Sequence, residues 1–170
     1  MAQNFTSAAT AVNGKAGKLP AIYNKINIER LCILDIGCGA EVAHIRSFCR
    51  KNGAKWYGID PYNRTDSQNR YNFNKWQEAA KSGAKTLVIS SNVLNVIDDD
   101  RVAAGAVNAI TVNGGAYAVT VYEGNGSGVG RQTGVDQWQR NAKLKEYLKY
   151  FSADAVIRKG VITNAPELIK

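Results

Sequence analysis

Apolar positions recur along this chain with two periods. Leu31-Cys-Ile-Leu-Asp-Ile36, Trp56-Tyr-Gly-Ile-Asp60 and Thr86-Leu-Val-Ile-Ser-Ser91 are short apolar runs closed by glycine, proline or polar residues. Their length and β-branched content predict buried strands. Between the first two, Val42, Ile45, Phe48 and Cys49 fall at helical spacing within Glu41–Asn52, and Gly53 stands where a helix cap is expected. Tyr62 to Arg70, polar and rich in asparagine, reads as a loop, and Tyr71 to Lys81 as a helix ending near Gly83. The carboxylates Asp98, Asp99 and Asp100 suit the start of a helix running to about Ile110.

Gly114-Gly115 then turns the chain into a strand over Ala116–Tyr122. A glycine-rich loop, Gly124–Gly130, continues to about Asp136, and Trp138 to Phe151 has helical periodicity. Ala155–Arg158 and Val161–Thr163 form a strand pair around Lys159-Gly160. Residues 1–20 carry few apolar side chains and read as an extended arm, with a short helix around Pro20–Ile28. The chain thus divides into an arm with a short helix, residues 1–28, and one domain over 29–170. Strands alternating with helices predict an α/β fold: a Rossmann-like, mostly parallel sheet with helices on both faces and a C-terminal antiparallel strand pair. Ligands in such sheets bind beyond the carboxyl ends of the strands.

Composition narrows the classes. Of 170 residues, 45% are hydrophobic and 21% charged, which suits a folded domain rather than a disordered chain. No apolar run approaches the roughly 20 residues that span a bilayer, so no membrane association is expected. Met1 to Val12 lacks a basic start and an apolar stretch, which predicts no secretory signal. Three cysteines (Cys32, Cys38, Cys49) and one histidine (His44), with no paired-cysteine spacing, predict no metal site. Buried free cysteines and a cytoplasmic setting follow. The net charge is +8, concentrated in Arg46–Lys85 and Arg131–Lys170, which favours an anionic partner, nucleic acid above all. A well-solvated surface explains the same charge.

The chemistry gathers at the strand ends. Asp35-Ile-Gly37-Cys-Gly39 lies between a strand and a helix, where glycines let backbone approach a ligand. Gly58-Ile-Asp60-Pro61 ends the next strand, 21 residues after Gly39, where a carboxylate can take the hydroxyls of a ribose. Together they predict nucleoside binding. A dinucleotide fingerprint wants a third glycine where this chain has Val42, which counts against NAD. The Gly124–Gly130 loop lacks the lysine and hydroxyl that close a phosphate loop, and reads better as a lid with Arg131 and Trp138 as contacts. Lys15, Lys18, Tyr23 and Lys25 of the arm could cover the pocket or meet an anionic acceptor.

Leu34-Asp-Ile-Gly-Cys-Gly39 followed by Gly58-Ile-Asp60 resembles the signature of class I S-adenosylmethionine-dependent methyltransferases. The likeness extends to Ser90-Ser-Asn92-Val-Leu-Asn95, to Gly114-Gly115 and to the closing strand pair, covering roughly Leu31 to Ala165. Asp60-Pro-Tyr-Asn-Arg64 and Tyr122-Glu-Gly-Asn-Gly-Ser-Gly128 look most like small phage and prophage members. The resemblance implies S-adenosyl-L-methionine as cofactor. It places Asp35, Gly37, Cys38 and Gly39 beside the methionyl part, Asp60 and Pro61 at the ribose, and Ser91, Asn92 and Val93 near the transferable methyl. Asn92, Asn95 and Glu123 are the candidates for handling the acceptor, which is nucleic acid or a small molecule. Asn92 and Asn95 have an alternative role as caps, and Glu123 as the partner of a lysine.

Two departures stand out. Glu41 replaces the usual third glycine of the loop, and the stretch from Asp60 to Thr86 lacks a clear third strand, leaving adenine recognition open and one edge strand missing or not. They motivate a second reading, a protein that binds the cofactor or its demethylated product without catalysis. An NAD-dependent oxidoreductase is a third. Neither Cys32 nor Cys38 is placed as a nucleophile.

Overall fold

The computed structural model describes residues 18–40, 42–112, 115–134 and 137–170. The arm's Lys15, and Glu41, Gly114 and Asp136, lie outside the described residues. The chain runs α1 (Ile22–Lys25), β1 (Cys32–Ile36), α2 (Ala43–Lys51), β2 (Lys55–Ile59), α3 (Asp66–Lys81), β3 (Thr86–Ser91), α4 (Asp100–Thr111) and β4 (Ala116–Thr120). After these come β5 (Arg131–Gly134), β6 (Gln137–Gln139), β7 (Val156–Arg158) and β8 (Val161–Thr163). Six strands form one sheet in the order β2-β1-β3-β4-β8-β7, and β5-β6 is a separate hairpin. β1, β2, β3 and β4 are parallel, while β8 is antiparallel to β4 and to β7. This is the expected α/β fold with its closing antiparallel pair.

Side chains leave the sheet alternately, as the strand period of two requires. Ile33, Leu87, Ile89, Ala118 and Val161 pack under α1 and α2 with Tyr23, Ile45 and Cys49. Cys32, Leu34, Val88, Tyr117, Val119 and Ile162 pack on the other face with Trp76 of α3, Val107 of α4 and Tyr147. All three cysteines are buried and free, and no group able to hold a metal occurs among the described residues. No helix among them is long and apolar enough to cross a membrane.

β2 is an edge strand, and α3 closes that edge with side chains. Asn72 Nδ2 donates to Gly58 O at 2.7 Å, and Asn69 both donates to Asp60 O at 3.0 Å and accepts from Asp60 N at 2.9 Å. These are the backbone groups that point away from β1, so two asparagines do the pairing that a further strand would have done. The asparagine-rich stretch after Asp60 is therefore an edge seal. It also starts a helix earlier than expected: Tyr62–Arg70 is not all loop, because Thr65 caps α3 in a capping box with Gln68.

The segment Trp138–Phe151 departs from the helix expected of it. Gln137–Gln139 is strand β6, paired with β5 inside what reads as loop, and Leu144–Tyr150 is a 3₁₀ helix. Asn141, at φ 55, takes a left-handed conformation that a helix cannot pass through. Beyond it Leu144 and Tyr147 are buried three residues apart, the period of a 3₁₀ turn. This turn is tied to α4 by Asp100, which Arg140 and Lys149 meet at 2.7 and 3.0 Å.

Candidate active site

A cavity of about 750 Å³ opens at the carboxyl ends of β1, β3 and β4, between α1 on one side and the β5-β6 hairpin on the other. Of the candidate residues, Asp35, Gly37, Cys38, Gly39, Ser91, Asn92 and Asn95 line it. Asp60, Pro61, Val93 and Glu123 do not. Arg131 and Trp138 of the hairpin and Lys25 of α1 line it as well.

The glycine loop forms the floor. Gly37 and Gly39 have φ of 77° and 73°, the left-handed region open to glycine. A Cβ on Gly37 would also run into the Val93 side chain, so Val93 supports the loop from behind. Gly37 N and Cys38 N donate to Ile59 O at 2.8 and 3.3 Å, tying the loop to the end of β2. Cys38 is buried, its Sγ accepts from Arg64 Nε at 3.1 Å, and burial pushes its thiol up to about 12.

Asp60 braces this loop. Its Oδ2 accepts from Gly39 N at 2.8 Å; its Oδ1 accepts from Tyr62 N and Asn63 N at 2.9 Å and from Asn63 Nδ2 at 3.0 Å. Four donors on a carboxylate that is 5% exposed make it the joint between the glycine loop and the turn after β2.

Asp35 is equally buried and differently served. Its Oδ2 accepts from Tyr23 Oη at 2.6 Å and from Trp56 Nε1 at 3.4 Å, while Trp56 Nε1 also donates to Tyr23 Oη at 2.8 Å. Oδ1 has no hydrogen bond among the described residues. Burial pushes the carboxyl up to about 6, against the opposing hydrogen bonds of Tyr23 and Trp56. Gly58 makes this possible, because a Cβ there would meet both the Trp56 ring and Cys38 Sγ. Tyr23 is the arm residue that counts, brought in by α1; Trp56 and Arg64 carry no sequence signal beyond their neighbourhood to the motifs.

At the ends of β3 and β4, Ser91 Oγ and Thr120 Oγ1 are 3.1 Å apart. Asn92 has φ 59 and donates its backbone N–H to Thr120 O at 2.9 Å, while its side-chain amide has no partner among the described residues. Asn95 is buried and committed: Nδ2 donates to Gln139 Oε1 at 3.2 Å and Oδ1 accepts from Tyr122 N at 3.4 Å. Glu123 is exposed and accepts from Leu144 N at 2.7 Å, capping the 3₁₀ turn rather than pairing with a lysine.

The site therefore offers a backbone cradle, a buried carboxylate with one oxygen unbonded among the described residues, and an amide at the end of β3. No curated protein matches this chain. The family described as methyltransferase domain matches residues 10–158, a stretch that includes the glycine loop, Asp60, Asn92 and the whole hairpin, and the chain belongs to that family.

Proposed function

We propose that this protein transfers the methyl group of S-adenosylmethionine to an acceptor seated between Asn92 and the β5-β6 hairpin. The observation that carries the reading is Asp35: a buried carboxylate on the cavity wall whose Oδ1 has no hydrogen bond among the described residues, beside Gly37 and Gly39, which put no side chain in the way of a ligand. An ammonium group such as that of a methionyl chain fits that oxygen, since a buried charge wants a partner. The bound cofactor supplies an activated sulfonium methyl.

The protein's part is positioning. Asp35 Oδ1 holds the ammonium group, and Gly37, Cys38 and Gly39 bring backbone against the methionyl chain. Asp60 acts through Gly39 rather than by direct contact, and Pro61 fixes the turn beside it. Ser91 and Asn92 border the reacting end, with Val93 buttressing Gly37. Asn92 is the side chain free to hydrogen-bond the acceptor, whereas Asn95 and Glu123 hold the surrounding backbone.

Calorimetric titration with S-adenosylmethionine, S-adenosylhomocysteine and NAD tests this. Saturable binding of the two sulfur nucleosides, lost in Asp35→Ala, is the expected result. Binding of NAD alone would replace the reading with redox chemistry, and binding of the sulfur nucleosides without turnover of methyl-labelled cofactor would leave a non-catalytic binder.

A further inference from the structure

The β5-β6 hairpin and the loop before it belong to no layer of the main sheet, yet buried amides fix them over the strand ends. Gln139 accepts from Asn95 and donates to Tyr122 O at 2.9 Å. Asn141 Nδ2 donates to Val129 O, and Asn141 O accepts from Gly128 N, both at 2.9 Å. Asn95, Gln139 and Asn141 are all buried. Burying an amide costs free energy unless it is bonded, and here the bonds hold one wall of the cavity in place. The Trp138 ring packs against the loop at Gly130, where a Cβ would clash with it.

The register decides what that wall presents. Arg131 is paired with Gln139, and cross-strand partners share a face. Arg131 is thus carried on the face from which Gln139 reaches Asn95. It lines the cavity, it is exposed, and its guanidinium has no hydrogen bond or ion pair among the described residues. The one carboxylate among the described lining residues is Asp35, under the opposite end. Trp138 also lines the cavity, but as the partner of Gln132 it leaves the other face of the hairpin. A guanidinium fork matches the geometry of carboxylate and phosphate oxygens, and a cavity of about 750 Å³ shared with a cofactor leaves room for a small molecule.

We propose that the hairpin is the acceptor-recognition element, and that Arg131 seats the oxyanion of a small acceptor, a carboxylate or a phosphate monoester. The word acceptor rests on the methyl-transfer reading; the anion site does not.

The test titrates protein loaded with S-adenosylhomocysteine with two anions, benzoate and uridine monophosphate, and their neutral counterparts, benzamide and uridine. At least one anion binds saturably, about tenfold or more tighter than its counterpart, the scale of one charge-assisted hydrogen bond. Which anion binds separates carboxylate from phosphate. Arg131→Gln abolishes the preference, Arg131→Lys keeps part of it, and neither changes the affinity for S-adenosylhomocysteine. Equal binding of anion and neutral compound, no saturable binding of either anion, or a preference that survives Arg131→Gln overturns the proposal. So does transfer of labelled methyl into DNA or RNA instead of small molecules. If S-adenosylhomocysteine itself fails to bind, the cofactor reading falls, and the same titrations on unloaded protein still read the anion site.

Discussion

The two ends of the cavity are built by different means. The β1–β2 end grows out of the sheet: the glycine loop continues β1, leans on Ile59 of β2, and is locked by buried carboxylates that accept hydrogen bonds. The hairpin end stands apart from the sheet and is hung on amides: Asn95 and Gln139 each donate and accept, and the Asn141 amide donates. A carboxylate can gather several donors at once but titrates; an amide can both donate and accept and does not titrate in the ordinary pH range. The first end therefore couples geometry to protons, and the second does not. Within the first end the same contrast recurs. Asp60 has four donors and serves the fold, while Asp35 keeps one oxygen without a hydrogen bond among the described residues.

The largest effect is expected from Asp60→Ala. It strands Gly39 N in a buried place and takes the acceptor from Tyr62 N and Asn63 N, and should cost roughly 3 kcal/mol of stability in denaturant unfolding, with loss of cofactor binding. Asp35→Asn acts in the opposite sense and sharpens the comparison. Asp35's folded pKa, about 6, lies above the ordinary carboxylate value of 3.8. Its protonated form is thus favoured by folding, a contribution that is complete below pH ~4 and lost as pH rises through about 6. Above that, ionised Asp35 costs the wild type roughly 3 kcal/mol. Asp35→Asn should remove this dependence, so that its stability relative to wild type rises between pH 4 and 7.

Gly37→Ala forces a left-handed alanine against Val93, and should cost about 1–3 kcal/mol while abolishing cofactor binding. Gln139→Ala leaves Asn95 and Tyr122 O short of a partner. It should cost about 1–2 kcal/mol and weaken acceptor turnover more than cofactor affinity, because only the hairpin end depends on it. The smallest effect lies outside the cavity. Hydrogen bonds from Tyr150, Arg140 and Lys149 hold the Asp100 carboxyl below its usual range. This contribution is present above pH ~4 and lost as pH falls. Asp100 is largely exposed, so Asp100→Asn should cost less than about 1 kcal/mol at neutral pH.

The β1–β2 end was legible in the sequence because its demands are local. A strand closed by Asp35-Ile-Gly37-Cys-Gly39 needs those residue types in that order, and the second motif returns to the same place through parallel pairing. What could not be read was the use of each carboxylate, since the number of donors meeting Asp35 and Asp60 depends on Tyr23, Trp56 and Asn63 arriving from other elements. The start of α3 was readable in Thr65-Asp-Ser-Gln68 but hidden by polar composition. The hairpin was illegible for a different reason: β5 and β6 carry no apolar alternation, the Gln139 amide that fixes them finds its partners at Asn95 and Tyr122, far along the chain, and a period of three in Leu144 and Tyr147 passes easily for a helix.

Asp35 is proposed to hold the ammonium end of the cofactor. The most direct measurement is the affinity for S-adenosylhomocysteine from pH 5 to 8, for wild type and Asp35→Asn. Affinity should strengthen in the wild type as pH rises through about 6, when the carboxylate ionises, and stay weak and pH-independent in the variant. Equal affinities with the same pH profile in both proteins would contradict it.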